Sequence, residues 1–355
     1  MSWGQRAKTA RLKSIWIAAL CACLWIGGRP AVAPATEAER LEGIGAATRP
    51  WENYFGVAIL PNGQSIVVGD KGVVMTSTDQ GINCTLVQLT KDRKFYDLYS
   101  VAFAADGTHG WIIGDGGLIF RTEDGGTTWN QQNSTQTVAL LKIAVIDAQK
   151  ACTVGEHGVV LCTNDGGAHW NLNKFEDLVF FDVAFTDPDH GWAVGEFSTA
   201  IRTTDGGKTW NLQTGGKRIV TFDPYFAIVF KNAQDGLVLG LNGIDMQTTD
   251  GGNTWNAGTL PDQHRSFYAA DAVPSDGSSV YYVAGEDGIT ARVIDGKVIR
   301  TTTVTSNSIT SMAFSSKFGM AVGLAGTIMR TENGGENWTQ VQGSKLIETR
   351  AQTGD

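Results

Sequence analysis

Residues 191–210 read Gly-Trp-Ala-Val-Gly-Glu-Phe-Ser-Thr-Ala-Ile-Arg-Thr-Thr-Asp-Gly-Gly-Lys-Thr-Trp, and this stretch decides the fold. A tight turn that begins at Gly195 joins two short apolar runs, and a second turn, from Thr203 to Trp210, follows the second run. Short apolar runs bounded by glycine-rich turns are typical of β-hairpins. The Asp205 carboxylate can accept backbone hydrogen bonds in the second turn, where the glycines permit positive φ angles. The stretch therefore predicts two successive hairpins closed by different turns.

The same unit recurs along the chain. It consists of an apolar strand, a Gly-x-x-Gly turn, a second apolar strand and the sequence Thr-x-Asp-Gly-Gly-x-x-Trp, which we call the Asp box. In the fourth unit Ser198 stands in place of the second turn glycine. Four copies are clear, and three are weaker: the first has Cys84 in place of the tryptophan, the last has Asn333 in place of the aspartate, and the sixth keeps only Asp295 and Gly296. The first glycine of the Gly-x-x-Gly turn precedes the box position by ten residues in every unit; these glycines are Gly69, Gly114, Gly155, Gly195, Gly240, Gly285 and Gly323. Seven units of about 40 residues, each long enough for four short strands, predict an all-β fold, a seven-bladed β-propeller of four-stranded antiparallel blades.

The box aspartates are expected to be structural. Every unit carries one, whereas a single active site needs few acidic groups. The tryptophan that ends the box is expected to bury its ring between neighbouring sheets. The structural box positions are Asp79, Asp124, Asp165, Asp205, Asp250, Asp295 and Asn333.

The N-terminus indicates export. Four basic residues between Arg6 and Lys13 precede an apolar run from Ile15 to Ile26, which is the pattern of a signal peptide and is shorter than a membrane-spanning helix needs. We predict a signal peptide over residues 1–35, a linker or closing strand over 36–50, the propeller over 51–342 and a tail over 343–355. Cleavage, a lipid anchor on Cys23 and a helical anchor remain alternatives, and the predicted location is the periplasm, or the thylakoid lumen if the organism is photosynthetic.

Composition excludes several classes of function. The 44 glycines and 11 tryptophans suit short strands joined by tight turns. The chain after the leader contains 23 of the 28 basic residues and all 36 acidic residues, so its net charge is −13. A charge of this sign disfavours binding to nucleic acid. The chain after the leader has no local motif for a metal or nucleotide, so no cofactor and no metal site are predicted.

Three cysteines follow the leader. An oxidising compartment would permit a bond between Cys152 and Cys162. A two-residue turn centred on Glu156 and His157 would pair Cys152 with Leu161, however, which directs the two sulfurs to opposite faces of the sheet. This register argues against the disulfide, and Cys84, at a core position, is expected to be a buried free thiol.

At this point the sequence resembles a known family. Gly191–Gly195 followed by Ile201–Trp210 is similar to the photosystem II assembly factor Ycf48/HCF136 group of Asp-box, or BNR-repeat, propellers, and the similarity spans about residues 50 to 342. The resemblance implies a propeller in the periplasm or thylakoid lumen that binds a protein partner, helps to assemble or stabilise a membrane complex and is not an enzyme. Peripheral membrane association would fit such a role.

Sialidases and other glycoside hydrolases also carry Asp boxes, so hydrolysis is the main alternative. Sialidase chemistry, as that family implies, needs an arginine cluster, a tyrosine–glutamate pair and an acidic proton donor. Arg121, Arg202, Arg292 and Arg330 all stand three residues before the box position, which is more simply explained by packing in each blade. No catalytic residue is therefore predicted. A carbohydrate-binding propeller without hydrolysis is a further alternative.

The Gly-x-x-Gly turns and the connections between blades are expected to share one face of the propeller, opposite the Asp boxes. Function should be sought on this face, because loops carry most binding residues. The residue after the first turn glycine is acidic in five units: Asp70, Asp115, Glu156, Glu196 and Glu286. These acids indicate either a ring for binding or the ordinary preference of turns for polar residues.

Three connections on that face combine cations with aromatic residues. Arginine beside tyrosine or phenylalanine is typical of protein interfaces, so these segments are candidate partner-binding loops, unless the aromatic residues simply begin the innermost strands. The candidate residues are Lys91, Arg93, Lys94, Lys217, Arg218, Tyr225, His264, Arg265 and Tyr268. Closure of the propeller is predicted to use either residues 41–51 or residues 345–350 as an added strand of the last blade.

Overall fold

A computed structural model describes residues 52–87, 89, 96–213, 223–258, 260, 264–275, 278–294, 297–341 and 346–348. The predicted signal peptide and the linker over 36–50 lie outside the described residues, so their boundaries stay predictions. The propeller belongs to a compact unit, Ile44–Asp355. Within the described residues, no helix is both long and apolar enough to cross a membrane.

Seven sheets, each built on an antiparallel meander of four strands, confirm the predicted seven-bladed propeller. In chain order the strands of the first four blades are β1 Tyr54–Ile59, β2 Ser65–Gly69, β3 Val74–Ser77 and β4 Cys84–Leu86; β5 Leu98–Phe103, β6 Gly110–Gly114, β7 Ile119–Thr122 and β8 Asn130–Gln132; β9 Leu140–Val145, β10 Ala151–Gly155, β11 Val159–Thr163 and β12 Asn171–Lys174; and β13 Phe180–Phe185, β14 Gly191–Gly195, β15 Ala200–Thr203 and β16 Asn211–Leu212.

The last three blades follow the same order. Their strands are β17 Tyr225–Phe230, β18 Gly236–Gly240, β19 Asp245–Thr248 and β20 Asn256–Ala257; β21 Phe267–Ser275, β22 Ser278–Gly285, β23 Ile289–Ile294 and β24 Lys297–Thr303; and β25 Ile309–Ser315, β26 Phe318–Gly323, β27 Ile328–Thr331 and β28 Thr339–Gln340. A further strand, β29 Leu346–Glu348, pairs with β4 in parallel. The C-terminal segment therefore adds a strand to the first blade, not to the last blade as predicted.

The first glycine of each Gly-x-x-Gly turn permits a close backbone approach. A Cβ atom at Gly195 would lie 2.1 Å from the carbonyl oxygen of Val179, the residue before the inner strand β13. The equivalent distance at Gly155, to the carbonyl of Ala139, is also 2.1 Å. The φ of Gly195 is −167°, an extended value that any residue adopts, so steric contact and not backbone conformation requires glycine here.

The Asp boxes close the hairpins between the third and fourth strands of the blades. Asp124 Oδ1 accepts hydrogen bonds from the Thr122 hydroxyl at 2.8 Å and the Thr128 N–H at 2.9 Å, and Oδ2 accepts one from the Thr128 hydroxyl at 2.6 Å. The Thr122 hydroxyl oxygen in turn accepts the Gly126 N–H at 2.9 Å. The carboxylate thus accepts one backbone N–H of the turn, and the threonine two residues earlier accepts another.

Two boxes depart from this pattern. Asn333 keeps the bonds to the Thr331 hydroxyl and the Asn337 N–H through its side-chain oxygen. Asp295 lies outside the described residues, but the pairing of β23 with β24 continues to Ile294 and Lys297, so only two residues join these strands. The sixth blade therefore ends this hairpin with a shorter turn than the other blades.

Large side chains fill the spaces between blades. Trp111 is fully buried and packs against Leu140, Ile143 and Leu161 of the third blade, and Trp192 packs in the same way against the fifth blade. Both therefore lie between blades. The Arg121 and Arg202 guanidinium groups lie 5.3 and 4.8 Å from the ring centroids of Trp111 and Trp192.

Contacts between the first and last blades close the propeller. The Thr310 hydroxyl of β25 donates a hydrogen bond of 2.5 Å to the Tyr54 carbonyl of β1, and the Gly326 N–H donates one of 2.7 Å to the Glu52 carbonyl. A buried apolar cluster that includes Tyr54, Met320 and Ile328 joins the same two blades. The first and last blades are therefore joined by hydrogen bonds and buried apolar side chains, like blades that are adjacent in the chain.

Cys152 and Cys162 form a disulfide, so the predicted register was wrong. The turn that begins at Gly155 contains a short 3-10 segment, Glu156–Gly158, with His157 and Gly158 at positive φ. This wider turn pairs Val154 with Val160 and brings Cys152 directly opposite Cys162 on the same face of the sheet. Cys84 is a buried free thiol, as predicted, and burial raises the pKa of its thiol to about 11.

Loss of the disulfide should destabilise the protein. The bond closes a loop with a sequence separation of 10, which by loop-closure entropy contributes about 3 kcal/mol to the free energy of unfolding. Urea unfolding of the wild type should therefore shift to a lower midpoint in dithiothreitol. The Cys152→Ala/Cys162→Ala variant, measured with and without dithiothreitol, is the control and should not respond to it. Equal midpoints for the oxidised and reduced wild type would contradict the expectation.

The close approach at the turn glycine makes a second prediction. Gly195→Ala places a methyl group against the Val179 carbonyl, and we expect a loss of about 3 kcal/mol in unfolding free energy, as for an overpacked core. Gly116→Asn is the matched control, because Gly116 has a φ of 64° and other blades place Lys71, His157 and Asn242 at that turn position. Denaturant unfolding should show a change of less than about 0.5 kcal/mol for Gly116→Asn. An equally stable Gly195→Ala variant would refute the steric explanation.

Candidate functional site

The Gly-x-x-Gly turns and the connections between blades lie on one face of the propeller, and the Asp boxes lie on the other. This follows from the strand order, because each blade turns back after its second strand at the glycine turn and after its third strand at the box. We call the first of these the glycine-turn face. Of the candidate binding residues, Lys91, Arg93, Lys94, Lys217 and Arg218 lie outside the described residues.

Three acidic turn residues have a structural partner. Glu156, Glu196 and Glu286 accept hydrogen bonds through Oε2 from the N–H groups of Ala139, Val179 and Ser266, at 3.3, 2.9 and 3.0 Å. Each of these N–H groups belongs to the residue immediately before an inner strand. The glutamate side chain is therefore long enough to reach the start of the innermost strand of its own blade. We call this position, beside the opening on the glycine-turn face, the rim.

The two aspartates at the same turn position have different surroundings. Asp70 Oδ2 accepts a hydrogen bond of 3.3 Å from the Asn53 side chain, and burial raises the pKa of its carboxyl to about 6, with Lys71 acting in the opposite direction. Asp115 is exposed and accepts the N–H of Gly116 at 2.8 Å. The acidic positions thus share a location, while their hydrogen bonds differ from blade to blade.

A β-bulge occurs in every inner strand at its second residue. The first residue pairs with the turn glycine and the third pairs with the residue before that glycine, so the second has no partner across the ladder; in the fourth blade Phe180 pairs with Gly195 and Asp182 with Val194. A bulge re-aims the side chain of its extra residue. We call these seven residues the collar: Phe55, Tyr99, Leu141, Phe181, Phe226, Tyr268 and Thr310.

Collar side chains of neighbouring blades contact one another. The ring centroids of Phe55 and Tyr99 are 5.6 Å apart, those of Phe181 and Phe226 are 5.4 Å apart, and those of Phe226 and Tyr268 are 5.3 Å apart. These contacts join bulge residues of successive inner strands, which are the strands that surround the propeller axis. All seven collar residues are partly exposed, so aromatic surface faces the opening on the glycine-turn face.

The described aromatic and basic candidates occupy different environments. Tyr225 is only 8% exposed and begins β17 as part of the core, in agreement with the alternative that the aromatic residues begin the inner strands. Tyr268 is the bulge residue of β21 and belongs to the collar. His264 is exposed and Arg265 is partly exposed in the connection that precedes β21.

Two carboxyl groups and one lysine lie on the inner strands beyond the collar. Asp182 Oδ2, in the fourth blade, accepts a hydrogen bond of 2.9 Å from the Ile228 N–H of the fifth blade. Asp271 Oδ2, in the sixth blade, accepts one of 2.7 Å from the Phe314 N–H of the seventh blade. Lys142 Nζ lies 3.9 Å from Asp182 Oδ1. Burial raises the pKa of Asp182 and raises that of Asp271 to about 6, whereas Lys142 lowers both. These carboxylates connect neighbouring inner strands.

The four periodic arginines do not meet at the axis. Arg121 donates to the Ala148 carbonyl, Arg202 to the Asn253 side chain, Arg292 to Glu336 and Arg330 to the Gln80 carbonyl. Each therefore reaches from the third strand of its own blade to the next blade, as the packing interpretation predicts. Among the described residues no group of three or more His, Cys, Asp or Glu side chains could hold a metal ion.

The sequence prediction missed the collar. The aromatic residues of the collar were visible in the sequence, but they stand between 14 and 17 residues before the turn glycine, so no single spacing aligns all of them. Bulges, moreover, have no signature in the alternation of apolar residues. An alignment of the seven units on the first residue of each inner strand would have placed five aromatic residues at one position.

Comparison with known proteins gives one family. A sequence model described as photosynthesis system II assembly factor YCF48 matches residues 50–173 and 173–263. No curated protein matches the chain. Among solved structures, a YCF48 bound to D1 peptide is 18% identical with a TM-score of 0.64, and the alignment covers 80% of this chain and 93% of that one. YCF48 from Cyanidioschyzon merolae is 17% identical with a TM-score of 0.63, covering 79% and 96%.

Glycoside hydrolases share the fold as well. A GH74 xyloglucanase from Xanthomonas campestris is 13% identical with a TM-score of 0.63, and the alignment covers 82% of this chain and 53% of the enzyme. The chain thus spans about half the length of that enzyme. At these identities the solved structures establish the propeller fold and nothing finer.

The raised pKa of Asp271 makes the stability of the propeller depend on pH. Its folded pKa of about 6 exceeds the ~3.9 of an unfolded aspartate, so its contribution is fully present below about pH 4 and is lost as pH rises through 6. The difference in Tm between the wild type and Asp271→Asn should therefore fall between pH 4 and pH 7, as measured by thermal unfolding.

Asp250→Asn is the matched control for this measurement. Hydrogen bonds from Thr254 lower the pKa of Asp250 to about 2, so its contribution is present above about pH 4 and is lost only as pH falls towards 2. The Tm difference for Asp250→Asn should stay nearly constant from pH 4 to pH 7. A constant difference for Asp271→Asn over the same range would show that this carboxyl does not titrate there.

Proposed function

The chain belongs to the photosystem II assembly factor YCF48 family, and we propose on this premise that it is an exported, non-catalytic propeller that binds a protein partner and assists the assembly or stability of a membrane-associated complex. The observation that carries the proposal is the family match over residues 50–263, which covers five of the seven turn glycines. Family membership makes an assembly role the first function to test.

The solved relatives support a protein as the ligand. One YCF48 structure contains a D1 peptide, and the fold of that protein extends over 80% of this chain. The partner proposed for this chain is accordingly a membrane-protein complex or one of its assembly intermediates. The glycine-turn face is the docking surface we propose, because partly exposed aromatic residues and charged side chains occur there together.

The arginine positions argue against the hydrolase alternative. A sialidase-like site needs several arginines in one pocket, whereas Arg121, Arg202, Arg292 and Arg330 each bridge a different pair of blades. The GH74 likeness extends to about half of the enzyme and is a likeness of fold. We therefore propose binding, not hydrolysis, as the activity of the surface.

Two features support export to an oxidising compartment. The basic and apolar N-terminal segment has the pattern of a signal peptide. The Cys152–Cys162 bond belongs to the class of structural disulfides that persist outside reducing compartments. A periplasmic or thylakoid-lumenal location would place the propeller beside the exposed loops of membrane proteins.

Affinity purification from the native membrane fraction tests the proposed function. The tagged wild type should recover the same membrane-protein subunits reproducibly, and a strain that lacks the protein should contain less of the assembled complex on native gels. A variant with Lys91, Arg93, Lys217, Arg218 and Arg265 replaced by glutamate should recover several-fold less partner, because charge reversal at an interface weakens association.

Lys208→Glu is the control for charge reversal. Lys208 is exposed in an Asp box, on the face opposite the proposed docking surface, so its reversal should leave partner recovery unchanged. Equal recovery by the glycine-turn-face variant and the wild type would reject that face as the docking surface. Hydrolysis of xyloglucan or a sialoside by the purified wild type would overturn the non-catalytic assignment.

A further inference from the structure

We propose that the outer edge of the sixth blade binds an extended segment of another protein as an added strand, along residues 300–303 of β24, and that a carboxylate side chain of this segment pairs with Arg300. We call residues 300–303 the edge segment. It lies on the strand of the blade that is farthest from the axis, so it is a different surface from the collar and the acidic turns. The proposal goes beyond the function proposed above.

The outer strand of the sixth blade is longer than those of the other blades. β24 has seven residues, whereas β4, β8, β12, β16, β20 and β28 have between two and four. The sixth unit has Val293 and Arg300 at the positions of the box threonine and tryptophan, and only two residues join β23 to β24. The ladder between these strands therefore begins at Ile294 and Lys297, which gives the blade a long outer edge.

Backbone groups of the edge segment point to the open side of the blade. The Val304 N–H donates a hydrogen bond of 3.0 Å to the Gly288 carbonyl. Thr303, the residue before Val304, therefore occupies a non-hydrogen-bonded position of the antiparallel ladder, and Thr301 does so as well because these positions alternate. The N–H and C=O groups of both threonines consequently point away from β23. Among the described residues no strand pairs with this side of β24, and such groups form a ladder with an extended peptide.

The other end of β24 is protected against pairing. The register of β24 with β23 shifts between the partners of Arg292 and Val293, so Ile299 is the extra residue of a β-bulge. Lys297 lies beyond this bulge, and bulges and lysines are features that natural edge strands use against unspecific pairing. The register of residues 300–303 with β23 is continuous, so an added strand is confined to these four residues.

The first blade shows that an outer edge of this propeller can hold a fifth strand. There β29, Leu346–Glu348, pairs with β4 in parallel through three residue pairs. The edge segment has four residues, which is enough for an added strand of that length. Ile299, beside the edge segment, is 57% exposed, more than the other large apolar side chains of the described residues. It offers apolar contact area at the end of the same edge.

Two arginines at this place share one carboxylate. Arg292 and Arg300 stand directly opposite each other on β23 and β24, and like charges in such pairs repel. Glu336 of the seventh blade lies 3.4 Å from Arg292. Arg300 has no ion pair among the described residues, and its Nε donates a hydrogen bond of 3.4 Å to the Thr302 hydroxyl. A carboxylate on the added strand would therefore neutralise the charge that Glu336 does not.

The neighbouring charges leave this edge positive. Lys297 adds a third cation to β23 and β24, which contain no acidic residue. Asp295 lies outside the described residues, and even a pair between it and Lys297 would leave the two arginines with Glu336 alone. Asp271 is buried on the innermost strand and accepts the Phe314 N–H there. A protein segment with an acidic residue has the complementary charge, whereas pairing with β24 of a second copy would bring like charges together.

A recess lies between β24 and the seventh blade beside Arg300. In the second and third blades an amide side chain of the outer strand, Gln132 or Asn173, crosses the equivalent space and donates to a box glycine carbonyl of the next blade, at 2.8 and 3.3 Å. Thr302 holds this position in the sixth blade, and its shorter side chain leaves the space open. The acidic side chain of an added strand can enter this space to reach the guanidinium group. The recess is lined by Arg292, Arg300, Thr302, Gly335 and Trp338.

Matched synthetic peptides test the proposal with the purified protein after removal of residues 1–35. The probe is a fluorescently labelled, amidated Ser-Val-Thr-Glu-Val-Thr-Ser peptide, and its partner has glutamine in place of glutamate. We expect the glutamate peptide to bind about 5-fold more tightly in fluorescence polarisation at low salt, the upper range for an exposed ion pair. Equal affinities would overturn the pairing with Arg300. No binding of either peptide at protein concentrations up to about 1 mM would overturn the added strand.

Three variants locate the binding. Thr301→Pro removes an N–H that points to the open side and breaks no bond to β23, and an edge strand accepts proline at such a position; it should weaken binding of the glutamate peptide about 10-fold. Thr301→Val keeps the N–H and is the matched control, with an affinity within about 2-fold of the wild type. Arg300→Gln should bind the glutamate and glutamine peptides equally. Circular dichroism and Tm values confirm that each variant is folded.

Each outcome decides one part of the proposal. Peptide binding by Thr301→Pro at the affinity of the wild type would overturn the added strand at this edge. A preference for glutamate that survives in Arg300→Gln would overturn the ion pair. Light scattering tests the other occupant: a wild-type dimer that Thr301→Pro converts to a monomer would show that a second copy covers the edge, against the proposal. Recovery of membrane partners through the glycine-turn face is a separate measurement, so failure at either surface leaves the other proposal intact.

Discussion

The steric contact between the first turn glycine and the start of the inner strand is the constraint on which the rest of the propeller depends. With no Cβ, Gly195 lets the Val179 carbonyl come within a distance that any other residue would forbid. The same contact recurs at all seven glycines, from Gly69 to Gly323, and it sets the pairing of the first residue of each inner strand. The bulge, the collar and the position of the rim carboxylates follow from that pairing.

Much of the fold could be predicted from the sequence because its determinants are local and repeated. The turn glycines keep a fixed distance to the box positions even in the sixth unit, whose box is reduced to two residues, so the number of blades did not depend on any single motif. Turn geometry was less predictable. Residues 155–158 look like a two-residue turn, but a residue at positive φ, His157, widens it and changes the register by one residue, which decides the disulfide.

The candidate site was predicted only in its outline. The grouping of the glycine turns and the connections between blades on one face was correct, because strand direction alone places them together, and the binding role of that face stays a prediction. Glu156, Glu196 and Glu286 each accept a hydrogen bond from the residue before an inner strand, which gives them a structural role, and a binding role for the acidic turn residues stays a prediction. The collar depends on bulges, which arise from a contact between distant backbone atoms and leave no period in the sequence. Tyr225 and Tyr268 illustrate this point. Tyr225 is the first residue of its inner strand and is buried in the core, whereas Tyr268 is the second residue of its inner strand and belongs to the collar.

The parallel pairing of β29 with β4 has a consequence for the order of folding. The first blade contains the earliest strands of the propeller in the chain, yet its outermost neighbour is the last strand, Leu346–Glu348. Six blades can assemble as successive hairpins from contacts close in sequence, whereas this sheet joins residues more than 250 positions apart, and such long-range contacts form slowly. The blade that begins first is therefore completed last, and until then its outer edge is an open strand that can pair with another chain.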